Sequence, residues 1–421
     1  VKKEKLGAAS IGMIAGFAVA QLASVLYNRV QSSRLGTDFA PQAALVALIN
    51  ILGNTTLGLN TYLVKAFSED AELAGAGAVK GRLLRLLKPG LKTLVVAGVV
   101  MGLAAPLIAS YLKLPTVTLP LIVVVVVLTS VVMVALRAAV QGLHHFGWLS
   151  TSTAGEGLTR LGFVASPLSH GVAGGLWAYV VGQVMGLVLA VGGLLGLGKA
   201  KKPVRFPRGR KAVFKAVGEG AGDTLALTLL SLLGYLDVLV LKHHYPDDRA
   251  AIYFRAALVA KSFLYLPTAL NVILLAAAAR EIAGRRDPRR IFMKFLGAAF
   301  ALDVIGLAGV WLLTSFCLMV VAGRGVEITP QLLDLTRWFS LAVIPLGLVQ
   351  MGLTYLLAIR HGGAAWAMAV LAGVYFTLLQ FTWDSEYKVV ATLAVCSAGA
   401  LAWTLWAALS EPPKRLAREA A

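Results

Sequence analysis

Gly198-Lys-Ala-Lys-Lys-Pro-Val-Arg-Phe-Pro-Arg-Gly-Arg-Lys211 is the longest basic linker in this 421-residue chain, and it lies almost at the centre. On either side the sequence is a succession of apolar runs. A helix must supply about 20 predominantly apolar residues, at 1.5 Å each, to cross a hydrocarbon layer ~30 Å thick. That ruler finds twelve candidate spans, at 7–29, 40–66, 91–112, 117–140, 147–168, 172–197, 216–241, 251–279, 291–321, 335–358, 363–383 and 388–410. The basic linker separates six from six. The fifth span is the least apolar of the set.

Composition points the same way. Apolar residues make up 58% of the chain and charged residues 14%, against roughly 45–50% and 25% in a soluble domain. Mean hydropathy is +0.79. These values exclude a water-soluble enzyme, a disordered chain and a secreted disulfide scaffold. Cys317 and Cys396 both lie in apolar runs, so neither a disulfide framework nor a Cys-rich metal site is available. The first apolar run ends in Tyr27-Asn28-Arg29 without a small-residue cleavage signature, and it reads as a membrane helix rather than a leader.

The surplus of 39 Lys and Arg over 20 Asp and Glu is topological rather than a nucleic-acid footprint. With a cytoplasmic N-terminus, 28 of the basic residues fall on the cytoplasmic side, nine on the other and two within spans. Both termini are therefore expected in the cytoplasm, in a multi-pass protein of the cell membrane. Contact with anionic lipid accounts for most of these charges. The expected organisation is an N-terminal six-helix bundle over 1–197, a cytoplasmic linker at 198–215, a C-terminal six-helix bundle over 216–410 and a tail at 411–421.

The halves echo one another. Ala43-Ala-Leu-Val-Ala47 recurs as Ala256-Ala-Leu-Val-Ala260, and Gly81-Arg-Leu-Leu-Arg-Leu-Leu-Lys88 matches Arg289-Arg-Ile-Phe-Met-Lys-Phe-Leu296 in type. An even number of spans per repeat inserts both halves the same way up. Transporters built from parallel repeats bind substrate where the repeats meet and expose it alternately to the two sides. The fold class expected is an all-α polytopic membrane protein of two pseudo-symmetric six-helix bundles enclosing a central cavity.

Ionised side chains deep in a span are expensive, and they usually face a cavity or a partner. Arg160 lies about 13 residues from the cytoplasmic end of its span and Lys261 about 10 from the outer end of its own, which puts one cation near the midplane in each half. These two are the candidate contacts for an anionic head group. Glu156, four residues before Arg160, shares its helix face and is a candidate partner for it. Asp237, near the outer end of span seven, is placed to snorkel or pair with Arg255. Asp223 and Asp303 are candidates for binding a coupling proton or Na⁺. Asn54 and Asn60 in span two are further candidate cavity residues. Pro106, Pro267 and Pro345 fall inside spans, where each frees a carbonyl and permits bending. The adjacent pairs His144-His145 and His243-His244 point to different helix faces and form no metal site. No P-loop, nucleotide fingerprint or Ser/His/Asp arrangement is present, and no catalytic residue or cofactor is expected.

Leu236-Asp-Val-Leu-Val-Leu-Lys-His-His-Tyr245, Ala251-Ile-Tyr-Phe-Arg-Ala-Ala-Leu-Val-Ala-Lys261 and Leu266-Pro267 resemble the seventh and eighth helices of polysaccharide flippases. These flippases are a branch of the multidrug/oligosaccharidyl-lipid/polysaccharide (MOP) exporter superfamily, to which the MATE drug exporters also belong. Leu136-Arg-Ala-Ala-Val-Gln-Gly-Leu143 is similar to the end of the branch's fourth helix. The resemblance implies a cationic cavity that carries lipid-linked sugars from the inner to the outer leaflet. Arg160, Lys261 and Arg255 would then contact pyrophosphate or acidic sugars, and glycan polymerases or glycosyltransferases of the same pathway would be partners. A cation-coupled MATE-type exporter is the nearest alternative. A major-facilitator carrier is disfavoured, because Ser68-Glu-Asp-Ala-Glu-Leu-Ala-Gly75 lacks that family's loop pattern. A membrane glycan polymerase would need a larger external loop than the roughly 10–15 residues found here.

Overall fold

In the computed structural model the described residues are 3–195, 210–262, 270–271, 274, 277–278, 281, 287–323, 326–359 and 363–410. They form α1 (Lys3–Leu35), a 3₁₀ turn (Gly36–Asp38), α2 (Phe39–Ala74), α3 (Ala76–Tyr111), α4 (Thr118–Gly142), α5 (Phe146–Ala165), α6 (Gly171–Gly192) and α7 (Arg210–His244). There follow α8 (Asp247–Lys261), α9 (Arg289–Leu312), α10 (Thr314–Val321), α11 (Pro330–Ala358), α12 (Ala364–Thr382) and α13 (Glu386–Ser410). Most of the central basic linker, Pro267 and the tail at 411–421 lie outside the described residues.

Among the described residues nine helical stretches are long and apolar enough to cross a membrane, and the first, Ala15–Ala71, covers two of the expected spans. The expected spans missing from that set are the fifth and the eighth. Span five is nonetheless a continuous helix, α5, whose polar residues lower its hydropathy. Span eight is described as α8 and short pieces beyond it. The ninth expected span, 31 residues by the sequence reading, is broken at Leu313 into α9 and α10. At that break Thr314 Oγ1 donates to the Val310 carbonyl at 2.6 Å and accepts from Arg337 Nε at 3.1 Å.

Local chemistry sets the helix ends. Thr329 accepts from the Leu332 amide at 3.2 Å and Pro330 occupies the first turn of α11, the arrangement a helix start favours. Asp247 and Asp248 lie in the first turn of α8 and Lys261 in its last, each complementing the helix dipole.

The fold divides into two compact units. The first holds Val1–Gln31 and Ala44–Thr224, and the second holds Ser32–Ala43 and Leu225–Ala421. Within the first, α5 and α4 pack along α6; within the second, α11 packs along α13 and is crossed by α8. The α5–α6 approach depends on small residues. A Cβ at Gly182 would lie 2.8 Å from the Glu156 carbonyl oxygen, so the two backbones touch where glycine stands. Large apolar side chains cover the outside: Leu91, Val95, Val99, Leu103 and Leu107 on α3 are all more than half exposed. In water such a patch would drive aggregation, whereas in a bilayer it is the lipid-facing surface.

Candidate functional site

The residues picked from the sequence fall into both units. Arg160, Glu156, Asn54, Asn60 and Asp223 belong to the first; Lys261, Arg255, Asp237 and Asp303 belong to the second.

In the first unit α5 carries Arg160 inward. Its guanidinium carbon lies 4.6 Å from the ring centre of Tyr179 on α6 and 5.4 Å from that of Tyr27 on α1, and Arg160 Nη2 donates to Ser24 Oγ. The two rings meet edge to face at 5.2 Å, and the Tyr27 hydroxyl donates to the Gly175 carbonyl at 2.9 Å. Guanidinium stacks on aromatic faces because its charge is spread over a plane and weakly hydrated. Glu156, one turn before Arg160, is held by Arg137 on α4 at 2.9 Å. Arg137 also donates from Nε to Ser152 Oγ at 3.0 Å and from Nη2 to the Ser152 carbonyl at 2.9 Å. Gly186 makes room for this: a Cβ there would lie 3.1 Å from Arg137 Nη2 and 3.3 Å from Glu156 Cβ. Asn54 and Asn60 are half-buried on α2, and Asp223 is half-buried on α7.

In the second unit Lys261 is only 7% exposed and Asp237 is fully buried. Lys261 Nζ lies 2.9 Å from each carboxylate oxygen, and the Tyr253 hydroxyl donates to Oδ2 at 2.8 Å. Tyr235 and Phe339 present their rings to the ammonium at 5.2 and 5.3 Å. This corrects two expectations. Lys261 is not a free cation, because its charge is committed to a carboxylate on α7. Asp237 neither snorkels nor pairs with Arg255. Arg255 instead donates to Ser32 Oγ at 3.3 Å and to the Gly36 carbonyl at 2.9 Å, so it holds the turn between α1 and α2.

Asp303 is 3% exposed on α9, and its Oδ2 has no hydrogen-bond partner. Among the described residues no group of His, Cys, Asp and Glu could hold a metal ion.

Sequence reasoning used Arg137 only as part of the Leu136–Leu143 motif. A basic residue so near an apolar run was the available signal. Tyr27, Tyr179 and Tyr253 carried no signal, because a lone aromatic in a span is usually packing.

Residues 5–279 match the family described as polysaccharide biosynthesis protein. The chain belongs to that family. Among solved structures, this polysaccharide biosynthesis family member is similar to an inward-facing multidrug resistance MATE family transporter of the MOP superfamily. The two share 12% identity at a TM-score of 0.75, over 98% of this chain and 100% of that one. It is also similar to the lipid II flippase MurJ in an inward closed conformation, with 11% identity and a TM-score of 0.69 over 97% and 88%. A MOP superfamily transporter from Pyrococcus furiosus, whose binding pocket is described as having reversed polarity, gives 14% and 0.62 over 97% and 94%. At these identities the likeness establishes the fold alone, a multi-pass helical fold shared with those transporters. A search of curated proteins finds no match.

Proposed function

We propose that this protein is a flippase that moves lipid-linked oligosaccharides or polysaccharide repeat units across the cytoplasmic membrane by alternating access, with both termini in the cytoplasm. The observation that carries the reading is Arg160. In a chain of the polysaccharide biosynthesis family, a half-buried guanidinium of the first unit is oriented by Tyr27, Tyr179 and Ser24. Arginine suits phosphate because its donors form a planar fork that matches phosphate oxygens. The tyrosine faces beside it suit the apolar face of a sugar ring. Asn54, Asn60 and Arg255 are secondary contacts in this reading. Glycosyltransferases or a glycan polymerase supply and consume the substrate, and a proton or Na⁺ gradient drives it. The protein makes and breaks no covalent bond.

A MATE-type drug exporter is the second reading, favoured by the overlay at a TM-score of 0.75. A site for cationic drugs needs carboxylates with charge to spare, yet Asp237 and Glu156 are already paired with Lys261 and Arg137. The test is translocation of a fluorescent lipid-linked sugar in reconstituted vesicles. Wild type should flip it, and Arg160→Ala should slow flipping at least tenfold while the purified protein keeps its helical content. Equal rates in the two proteins refute the assignment of Arg160. Drug efflux without sugar flipping selects the second reading.

A further inference from the structure

The two stretches that match in type between the halves, Gly81–Lys88 and Arg289–Leu296, lie in the opening turns of α3 and α9. Flipping a sugar gives neither of them a task.

On α3 one side of this stretch is fixed by packing. Val79 and Leu83 are buried in the core cluster that holds Phe67 and Leu136, Leu86 and Leu87 pack against it, and Arg82 pairs with Asp70 at 3.1 Å. The other side shows Lys80, Leu84, Arg85, Lys88, Leu91 and Lys92, all exposed. At 3.6 residues per turn these six fall within an arc of about 140° that also carries Val95, Val99 and Leu103 of the lipid-facing stripe. Basic and apolar side chains therefore share one face. Lys92 stands ~29 Å along the axis from Tyr111, the exposed aromatic at the other end of α3, which is about the thickness of the hydrocarbon layer. Lys88 and Arg85 lie ~6 and ~10 Å further on, at head-group level or within a long side chain's reach of it. α3 contains no Asp or Glu.

α9 repeats the arrangement in the second unit. Phe292 and Ala299 are buried in that unit's core, whereas Arg290 and Lys294 are exposed on the side that carries Val304, Ile305 and Leu312. Lys294 stands ~27 Å along the axis from Leu312. Asp303, the acid of α9, is buried on the opposite side. In each half, then, a lipid-facing stripe ends in a group of exposed cations.

We propose that Arg85, Lys88 and Lys92 on α3, and Arg290 and Lys294 on α9, are two docking sites for the head groups of anionic phospholipids. The arginine fork matches phosphate oxygens and the lysines add point charges. The occupant must bring acyl chains as well as a phosphate, because Leu84 and Leu91 stand among the cations and the stripe continues from them without a break. Such sites hold the third helix of each repeat at a set depth, and they are independent of what the protein carries.

The test uses the full chain in phosphatidylcholine vesicles with a trace of spin-labelled phosphatidylglycerol or spin-labelled phosphatidylcholine, and reads the fraction of each probe immobilised by the protein. A juxtamembrane basic residue attracts an anionic surface by about 1 kcal/mol, so wild type should hold phosphatidylglycerol at least about threefold more tightly than phosphatidylcholine, and added salt should shrink the ratio. Arg85→Gln/Lys88→Gln/Lys92→Gln should lose about half or more of that preference, and adding Arg290→Gln/Lys294→Gln should lower it further. All five positions are at the surface or partly so, and unchanged immobilisation of phosphatidylcholine checks that the variants keep their fold. Lys414→Gln/Lys88→Arg/Lys92→Arg, which keeps the α3 charges, should behave as wild type. Lys414→Gln/Arg415→Gln/Arg418→Gln removes three charges from the tail and should also leave the preference intact. A wild type that holds both probes equally, an α3 variant that keeps the full preference, or a tail variant that loses as much as the α3 variant overturns the proposal.

Discussion

Lys261 Nζ bridges both carboxylate oxygens of Asp237 at 2.9 Å each, in surroundings from which water is excluded. Neither charge has a cheap way to stand alone there. Breaking a buried pair from one side leaves an uncompensated charge and typically costs about 3–5 kcal/mol, although removing both partners together is often nearly neutral. Asp237→Ala and Lys261→Ala should each lower the thermal midpoint of the purified protein sharply. Asp237→Leu/Lys261→Met should regain most of the loss. A double variant as unstable as the sum of the singles would show that the pair has no mutual dependence.

The first unit separates a structural arginine from a binding arginine. Arg137 is tied to Glu156 and Ser152, so Arg137→Ala and Glu156→Ala should lower stability by about 1–3 kcal/mol each, with a coupling of about 0.5–3 kcal/mol in a double-mutant cycle. Arg160→Lys keeps the charge but loses the plane that stacks on Tyr179 and Tyr27. It should leave the thermal midpoint within about 2 °C and raise the apparent KM for the lipid-linked sugar several-fold. A variant that unfolds without any change in KM would move Arg160 from binding to packing.

At one end of the second unit, Arg249 Nε donates to Glu386 Oε1 at 2.6 Å and Nη2 to Oε2 at 3.1 Å, while the guanidinium lies 3.9 Å from the ring centre of Tyr245. The bond to Glu386 holds the Arg249 proton more firmly than usual, and burial pushes the Tyr245 phenol up to about 12. Both groups therefore keep their charge state across the physiological range. Arg249→Ala strands the Glu386 carboxylate and should cost about 1–3 kcal/mol at pH 7. Lys388 holds the exposed Asp384 carboxyl below its ordinary range. A depressed acid contributes above its unfolded value and loses that contribution as pH falls through its folded value. Lys388→Ala should therefore leave the midpoint almost unmoved at pH 7, and any small difference from wild type should disappear in acid. Thermal melts of the two variants at pH 7 and pH 4 make the comparison.

The spans were legible because hydrocarbon thickness leaves only one kind of helix to look for; eleven of the expected segments fall largely on described helix, and span eight does so over α8 and short pieces beyond it. The deep charged residues were legible too, because lipid makes charge conspicuous. Their partners were not. Which of Arg160, Arg137 or Arg255 meets a given carboxylate depends on helix rotation and on where glycine lets backbones close up, as Gly186 does for Arg137 and Glu156. The i, i+4 spacing of Glu156 and Arg160 is a local rule, and it says nothing of the tertiary contact that Arg137 makes with Glu156. Asp237 reached Lys261 for the same reason: α7 and α8 are antiparallel neighbours, and the sequence gives their proximity but not their register.

That dependence on glycine yields a graded prediction. At Gly182 a Cβ would meet the backbone oxygen of Glu156 at 2.8 Å, and backbone cannot swing aside. Gly186→Ala meets Met133 Sδ at 2.9 Å, the far end of a flexible side chain. Gly162, also on α5, has nothing within 4 Å of the same position. Overpacking costs about 1–3 kcal/mol, while replacing an unconstrained helical glycine by alanine gains up to about 1 kcal/mol. Thermal stability should therefore rank Gly162→Ala at or above wild type, Gly186→Ala slightly below it and Gly182→Ala lowest. Because α5 also carries Arg160, Gly182→Ala should shift that guanidinium and slow sugar flipping more than its stability loss explains. If Gly182→Ala melts like Gly162→Ala, α5 and α6 are not in backbone contact at that level.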